Sequence, residues 1–153
     1  MIKNKVLSRL SFLWSIGFGL GQLPFAPGTF GTLLAIPLCW FGSFLGLFWH
    51  IVFWLVLLVL SIISSSNTAN ELKLKDPGCI VCDEVIGFWL VLLVVPWQIY
   101  WVICAFLLFR LFDIFKPWPI NLIDKSNSGW SIVADDLAAA LFVVLIYSIY
   151  CVI

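Results

Sequence analysis

Between Arg9 and Glu71 the chain contains no Asp, Glu, Lys or Arg. A soluble domain, with about 25% charged residues, does not leave so long a stretch uncharged. Over all 153 residues apolar types make up 63% and charged types 10%. The chain therefore reads as an integral membrane protein forming one domain over 1–153. Its net charge is zero, which excludes bulk attraction to nucleic acid or acidic lipid. Five cysteines, an odd number mostly in apolar runs, give no disulfide framework. The basic start and the apolar stretch from Ser11 have a superficial likeness to a signal peptide. No small-x-small cleavage site follows, however, and Gly17, Gly19, Gly21, Pro24 and Pro27 read as structural.

A membrane-spanning helix needs about 20 apolar residues. Thr29 to Trp49 supplies one, and His50 to about Ser64 a second, with a tight turn expected at Trp49-His50. Ser11 to Gly21 is too short to span and reads as interfacial or re-entrant. The run Ser64-Ser65-Ser66-Asn67-Thr68 reads as polar caps, and Asn70 to Pro77 as a solvated segment. Val85 to Phe109 is either one span or a hairpin broken at Pro96-Trp97-Gln98, since proline removes a backbone donor and restricts its neighbour. Leu137 to Ile153 is a last span. The hairpin is preferred because it places Lys3, Lys5, Arg9, Lys73, Lys75, Arg110, Lys116 and Lys125 on one side, which the positive-inside rule makes cytoplasmic. Trp14, Trp40, Trp49, Trp97, Trp101, Trp118 and Trp130 fall near expected span ends, as an interfacial belt requires. The expected fold is all-α: a compact multi-pass membrane bundle of about five to six helices with a broken or re-entrant hairpin.

Against this oily background the charges are gathered into short segments. Asp83 and Glu84 open one apolar run, and Asp135 and Asp136 open another. Between them Arg110, Asp113 and Lys116 recur at spacings of three, which puts them near one helix face. First-turn acids favour the helix dipole, which accounts for one acid per helix but not for two. A carboxylate at the centre of a membrane helix costs ~2.5–3.5 kcal/mol on insertion scales, so several together need a compensating positive charge. A divalent cation held by oxygen ligands is the simplest compensation, and Mg²⁺ is the natural choice. Asp83, Glu84, Asp113, Asp135 and Asp136 are its candidate ligands. Neighbouring residues on a helix point about 100° apart, so at most one acid of each adjacent pair is expected to face a shared centre directly. Arg110 would grip phosphate oxygens as a fork and Lys116 as a point charge. Asp113 would bind metal or attack. Gly28-Thr29-Phe30-Gly31-Thr32 could feed a helix N-terminus, with Thr29 capping it or touching phosphate.

Other motifs carry less. Cys79 and Cys82 have redox spacing without a redox context. The run from Cys104 to Arg110 has the spacing of a cysteine-phosphatase loop but lacks its glycines. His50, the sole histidine, is expected at a turn remote from the charges, which excludes a Ser-His-Asp triad or a histidine nucleophile.

Residues 17–21 (Gly-Phe-Gly-Leu-Gly), 27–32 (Pro-Gly-Thr-Phe-Gly-Thr), 81–87 (Val-Cys-Asp-Glu-Val-Ile-Gly), 109–120 (Phe-Arg-Leu-Phe-Asp-Ile-Phe-Lys-Pro-Trp-Pro-Ile) and 135–139 (Asp-Asp-Leu-Ala-Ala) closely resemble, in collinear order, the phosphatidylglycerophosphatase A family. The resemblance implies an all-helical, Mg²⁺-dependent lipid phosphatase of the bacterial inner membrane. Such an enzyme removes the terminal phosphate of phosphatidylglycerophosphate to give phosphatidylglycerol. On this reading the catalytic residues are Asp113, Arg110 and Lys116, and the substrate is held by Arg110, Lys116 and Thr29. The nucleophile is either an aspartate or a water activated by the metal. The expected partners are a phospholipid substrate and the bilayer, with no nucleic acid and no protein partner. The competing readings are a phosphatidyl-type transferase and a carboxylate-lined ion carrier.

Overall fold

The computed structural model describes residues 5–124 and 130–153, with side chains for 7–123 and 130–153. Lys3, Lys125 and the Lys5 side chain, three of the cations expected on the charged side, lie outside these. Among the described residues every regular element is helical. The order is α1 (Lys5–Ser15), a 3-10 segment (Gly17–Gln22), α2 (Pro27–Ser43), α3 (Leu47–Leu72), α4 (Cys82–Val94), α5 (Ile99–Phe115), α6 (Ile120–Asp124) and α7 (Ser131–Val152).

α4 is the centre of the molecule. Val85, Ile86, Phe88, Trp89 and Val91 on it are completely buried, because α2, α3, α5 and α7 all pack against it. A helix that is apolar on every face needs such enclosure. Its 13 residues rise about 20 Å, short of the ~30 Å hydrocarbon core of a bilayer. Among the described residues α3 with 26 residues and α7 with 22 are the two helices long and apolar enough to cross a membrane.

The break expected at Pro96 is present. α4 stops at Val94, Val95 and Gln98 are extended, and α5 starts at Ile99. The two arms return Asp83 and Asp113 to the same end of the molecule, where Arg110 lies 3.7 Å from Glu84. The far end carries aromatic side chains: Trp101 packs edge-on against Tyr147 and Tyr150, at 5.4 and 5.0 Å between ring centroids.

Three expectations shift. The turn between α2 and α3 falls at Phe44–Gly46, not at Trp49-His50, because Gly46 adopts φ 77° and ψ 155°, a backbone that side-chain-bearing residues avoid. His50 consequently lies inside α3, buried, and accepts a 2.8 Å hydrogen bond from the Trp89 indole N–H. The serine-rich run does not cap α3, which continues to Leu72. Most of its hydroxyls are buried instead: Ser15 and Thr68 share a 2.8 Å hydrogen bond and Ser65 lies 3.2 Å from the Cys82 sulfur, while just before the run Trp14 donates to Ser61 at 2.8 Å. Hydroxyls that find such partners remain compatible with a helix interior. Finally, α7 begins at Ser131, so Asp135 and Asp136 occupy its second turn and do not open the helix.

Candidate active site

α4 enters the molecule with Asp83 and Glu84 in its first turn. α7 runs beside it with Asp136 buried at 3% exposure. The two helices approach closely at Gly87, where a Cβ would stand 3.1 Å from both the Cβ and the carbonyl oxygen of Asp136. Glycine at that position therefore lets α7 deliver Asp136 to the start of α4. The outcome is a cluster in which one carboxylate oxygen each from Asp83, Glu84 and Asp136 lies within 4.8 Å of the others. Oxygens gathered this closely can share one Mg²⁺ ion, around which ligands at ~2.1 Å stand about 3.0 Å apart when adjacent and about 4.2 Å when opposite.

Three oxygens of these same residues, Asp83 Oδ1, Glu84 Oε2 and Asp136 Oδ2, are buried and accept no hydrogen bond from the protein. Buried carboxylate oxygens without donors are costly, and the charges of Asp76, Asp113 and Asp135 bear on Asp83 as well. Hard oxygen donors crowded in this way suit Mg²⁺. Both members of the Asp83-Glu84 pair reach the cluster, although neighbouring helical positions diverge. The longer glutamate side chain bridges the angle. Of the other pair only Asp136 takes part.

Asp113 and Asp135 do something different. Asp113 is ion-paired with Arg110, three residues before it on α5. Asp135 is ion-paired with Lys116. The Lys116 backbone is left-handed (φ 41°, ψ 59°) where it ends α5, and this turn swings the ammonium toward α7. Arg110 stands beside Glu84 as well, and its Nε–H is buried without an acceptor. The five sequence-selected acids thus divide into three that cluster and two that each hold a cation at the cluster's edge.

The start of α2 forms a further wall. A Cβ on Gly28 would overlap the Glu84 carboxylate and stand 3.0 Å from both terminal nitrogens of Arg110. Thr29 lies one residue beyond and is half-buried. It does not cap the helix: Ala26 holds the cap position without a side-chain bond, and the Thr29 N–H donates to the Ala26 carbonyl at 2.9 Å. The Thr29 N–H is therefore already satisfied within the helix.

The reading of the sequence used Gly28 only as part of a turn and missed Gly87; the importance of both lies in what touches them. Lys75 and Asp76 line a crevice with Ser131, Ile132 and Asp135. Cys79 and Cys82 stay apart from the acid cluster's chemistry, with the Cys82 sulfur among serines.

Fold and site together define a class: a protein whose described residues are all-helical, with two helices long and apolar enough to cross a membrane and a polar centre that suits a cation and an anionic group side by side. Within that class the chain belongs to the phosphatidylglycerophosphatase A family, whose model matches residues 13–151. It is 38% identical to phosphatidylglycerophosphatase A of Escherichia coli (strain K12) over 84% of this chain and 76% of that protein. The identity is 36% with phosphatidylglycerophosphatase A of Haemophilus influenzae, over 95% of this chain and 94% of the relative. A Bacteroides thetaiotaomicron protein named "Putative phosphatidylinositol-3-phosphatase" is 39% identical, over 88% of this chain and 89% of its own. No solved structure matches the chain at a significant level.

Proposed function

We propose that this protein is a Mg²⁺-dependent lipid phosphatase that hydrolyses the terminal phosphomonoester of phosphatidylglycerophosphate, yielding phosphatidylglycerol and inorganic phosphate. The observation that carries the reading is the cluster of three carboxylates, Asp83 and Asp136 buried and Glu84 half-buried, beside an arginine and a lysine. Family membership supplies the substrate.

Asp83, Glu84 and Asp136 would hold the ion. Bound there, Mg²⁺ supplies positive charge against the phosphoryl oxygens and polarises the ester. Arg110 presents its fork to the same oxygens, and its buried, unsatisfied Nε–H is one donor available to them. Lys116 adds a second charge from the α5 terminus. Asp113 and Asp135 keep these cations extended toward the centre before substrate arrives, and this preorganisation lowers the cost of binding. Thr29 offers its hydroxyl from the α2 side. The acids form one group at one end of the helices and do not line a file through them, so the ion-carrier reading gains nothing.

The protein would lie in the bacterial inner membrane as a multi-pass bundle, α3 and α7 crossing fully and the enclosed α4–α5 hairpin contributing the remainder. The acyl chains of the substrate stay in lipid while the headgroup enters at the charged end. The Ser8–Glu71 hydrogen bond brings the start of α1 to the end of α3. Arg9, Lys73, Lys75, Arg110 and Lys116 thereby share one end, which supports a cytoplasmic site. The test uses purified protein in neutral detergent micelles containing phosphatidylglycerophosphate. Release of inorganic phosphate with Mg²⁺, abolished by chelation, is expected. No release, or release indifferent to chelation, contradicts the reading.

A further inference from the structure

α1 lies against α3 along a groove that the acid cluster does not use. At one end the Ser8 hydroxyl donates to Glu71 Oε1 at 3.1 Å, and at the other the Trp14 indole N–H donates to the Ser61 hydroxyl at 2.8 Å. The α3 segment between Ser61 and Glu71 rises about 15 Å along its axis. That is about the depth of one leaflet of a ~30 Å hydrocarbon core. The groove has a volume of about 360 Å³, and Leu7, Leu10, Trp14, Leu60 and Ile63 supply its apolar lining. Small-molecule pockets span ~300–1,000 Å³ and are lined in the same way, mostly apolar with a few polar groups. Ser11 lines the groove too. Its hydroxyl oxygen is buried and has no hydrogen-bond partner, not even the carbonyl one turn earlier that a helical serine ordinarily uses. A buried hydroxyl left unbonded is costly, so the groove suits a ligand that brings an acceptor.

α3 is long and apolar enough to cross a membrane, so lipid is what meets a groove along it. Ser11 sits one turn inside the polar Ser8–Glu71 end, the level at which phospholipid chains join their ester carbonyls. We propose that the α1–α3 groove holds one acyl chain of a membrane glycerophospholipid, with the Ser11 hydroxyl donating to the ester carbonyl of that chain. The occupant is a lipid other than the substrate. Ser64 on the groove wall stands 3.9 Å from the Cys82 sulfur, and the Trp54 indole N–H donates to the Ile86 carbonyl at 3.1 Å. α3 thus covers the side of α4 that carries Cys82. Asp83 and Glu84 point about 100° and 200° away from Cys82 around the helix, so the acid cluster opens elsewhere. The inference goes beyond the phosphatase reading and does not depend on it.

The test uses full-length protein in phosphatidylcholine vesicles that contain a trace of phosphatidylcholine with a diazirine on one chain. Phosphatidylcholine has no phosphomonoester to cleave. The labelled chain is joined by an ester in one probe and by an ether, which lacks the carbonyl, in the other. After illumination the labelled residues are mapped by mass spectrometry. The ester probe should mark Leu10, Leu60 and Ile63 well above Leu141 and Leu145 of α7, which are comparably exposed and meet bulk lipid. The ether probe should mark the groove about fivefold less, the worth of one hydrogen bond. In Ser11→Ala the two probes should mark it equally, with KM for phosphatidylglycerophosphate unchanged. Groove labelling no greater than that of α7 overturns the inference. So does an ester preference that is absent from wild type or survives in Ser11→Ala, or a groove shielded by a second copy of the chain, seen as a cross-linked dimer. A raised KM in Ser11→Ala would put the substrate's own chain in the groove and overturn the assignment to another lipid. A wild type that releases no phosphate overturns the phosphatase reading alone, because the labelling arms still decide this one.

Discussion

Gly87→Ala should disable the site without touching any charged group. An added Cβ would stand 3.0 Å from the Phe109 ring and 3.1 Å from the Asp136 Cβ and carbonyl oxygen. Ordinary carbon contacts lie at about 3.5–4.0 Å, so α4 and α7 must separate by roughly half an ångström. Phe109 is fully buried, which leaves the aromatic side little room to yield. Overpacking of this kind costs about 1–3 kcal/mol of stability. The displacement acts on Asp136 more than on Asp83 and Glu84, because the latter two ride on the helix that carries the substitution. Misplacement by 1 Å costs ~10²-fold in rate, so half that distance should cost about tenfold. The assay is phosphate release from phosphatidylglycerophosphate at increasing Mg²⁺, with thermal denaturation in detergent measured alongside. The expected result is an activity reduced about tenfold, with half-saturation at higher Mg²⁺ than wild type. A variant with wild-type turnover and wild-type Mg²⁺ dependence would refute the argument that the α4–α7 approach aligns the acid cluster.

Other substitutions separate the roles. Asp113→Asn should leave membrane insertion intact and reduce phosphate release by at least ~10²-fold, because Arg110 loses its anchor beside the cluster; full activity in this variant removes Asp113 from the site. Arg110→Lys keeps the charge but loses the fork, so kcat/KM should fall about 10- to 100-fold, and a wild-type value would show that only charge matters there. His50→Ala leaves the Trp89 indole N–H buried without its acceptor. It should cost about 1–3 kcal/mol in stability, read as a lower melting temperature, while turnover per folded molecule is unchanged; a catalytic defect at temperatures where the variant is folded would contradict placing His50 away from the chemistry.

The class of fold was legible because charge is so scarce. An uncharged stretch from Leu10 to Asn70 admits little but apolar helices, and Pro96 marked the break that folds α5 back along α4. The expectation that distant acids gather followed the same logic, but it counted Asp113 among them and only one of Asp83 and Glu84, whereas Asp83, Glu84 and Asp136 cluster and Asp113 pairs with Arg110. What the sequence could not show was rotation about each helix axis. Asp135 and Asp136 are chemically identical neighbours, and only the packing of α7 on Gly87 turns one toward the cluster and the other toward Lys116. The helix limits were also hidden. Gly46 ends the α2–α3 turn through its positive φ, while four other glycines nearby, Gly28, Gly31, Gly42 and Gly21, serve close packing instead. The serines at 64–66 looked like a helix end, but their partners come from the preceding turn of α3 and from Cys82 on α4.

The most direct measurement is binding of Mn²⁺, a paramagnetic substitute for Mg²⁺, to the purified protein in detergent, followed by electron paramagnetic resonance. Three acids on two helices forming one ion site predict a single saturable site in wild type. That site should be lost in Asp136→Asn and in Asp83→Asn and retained in Asp135→Asn, whose carboxylate holds Lys116 instead. A wild type that binds no Mn²⁺, or an Asp136→Asn variant that binds it as tightly as wild type, would contradict the account.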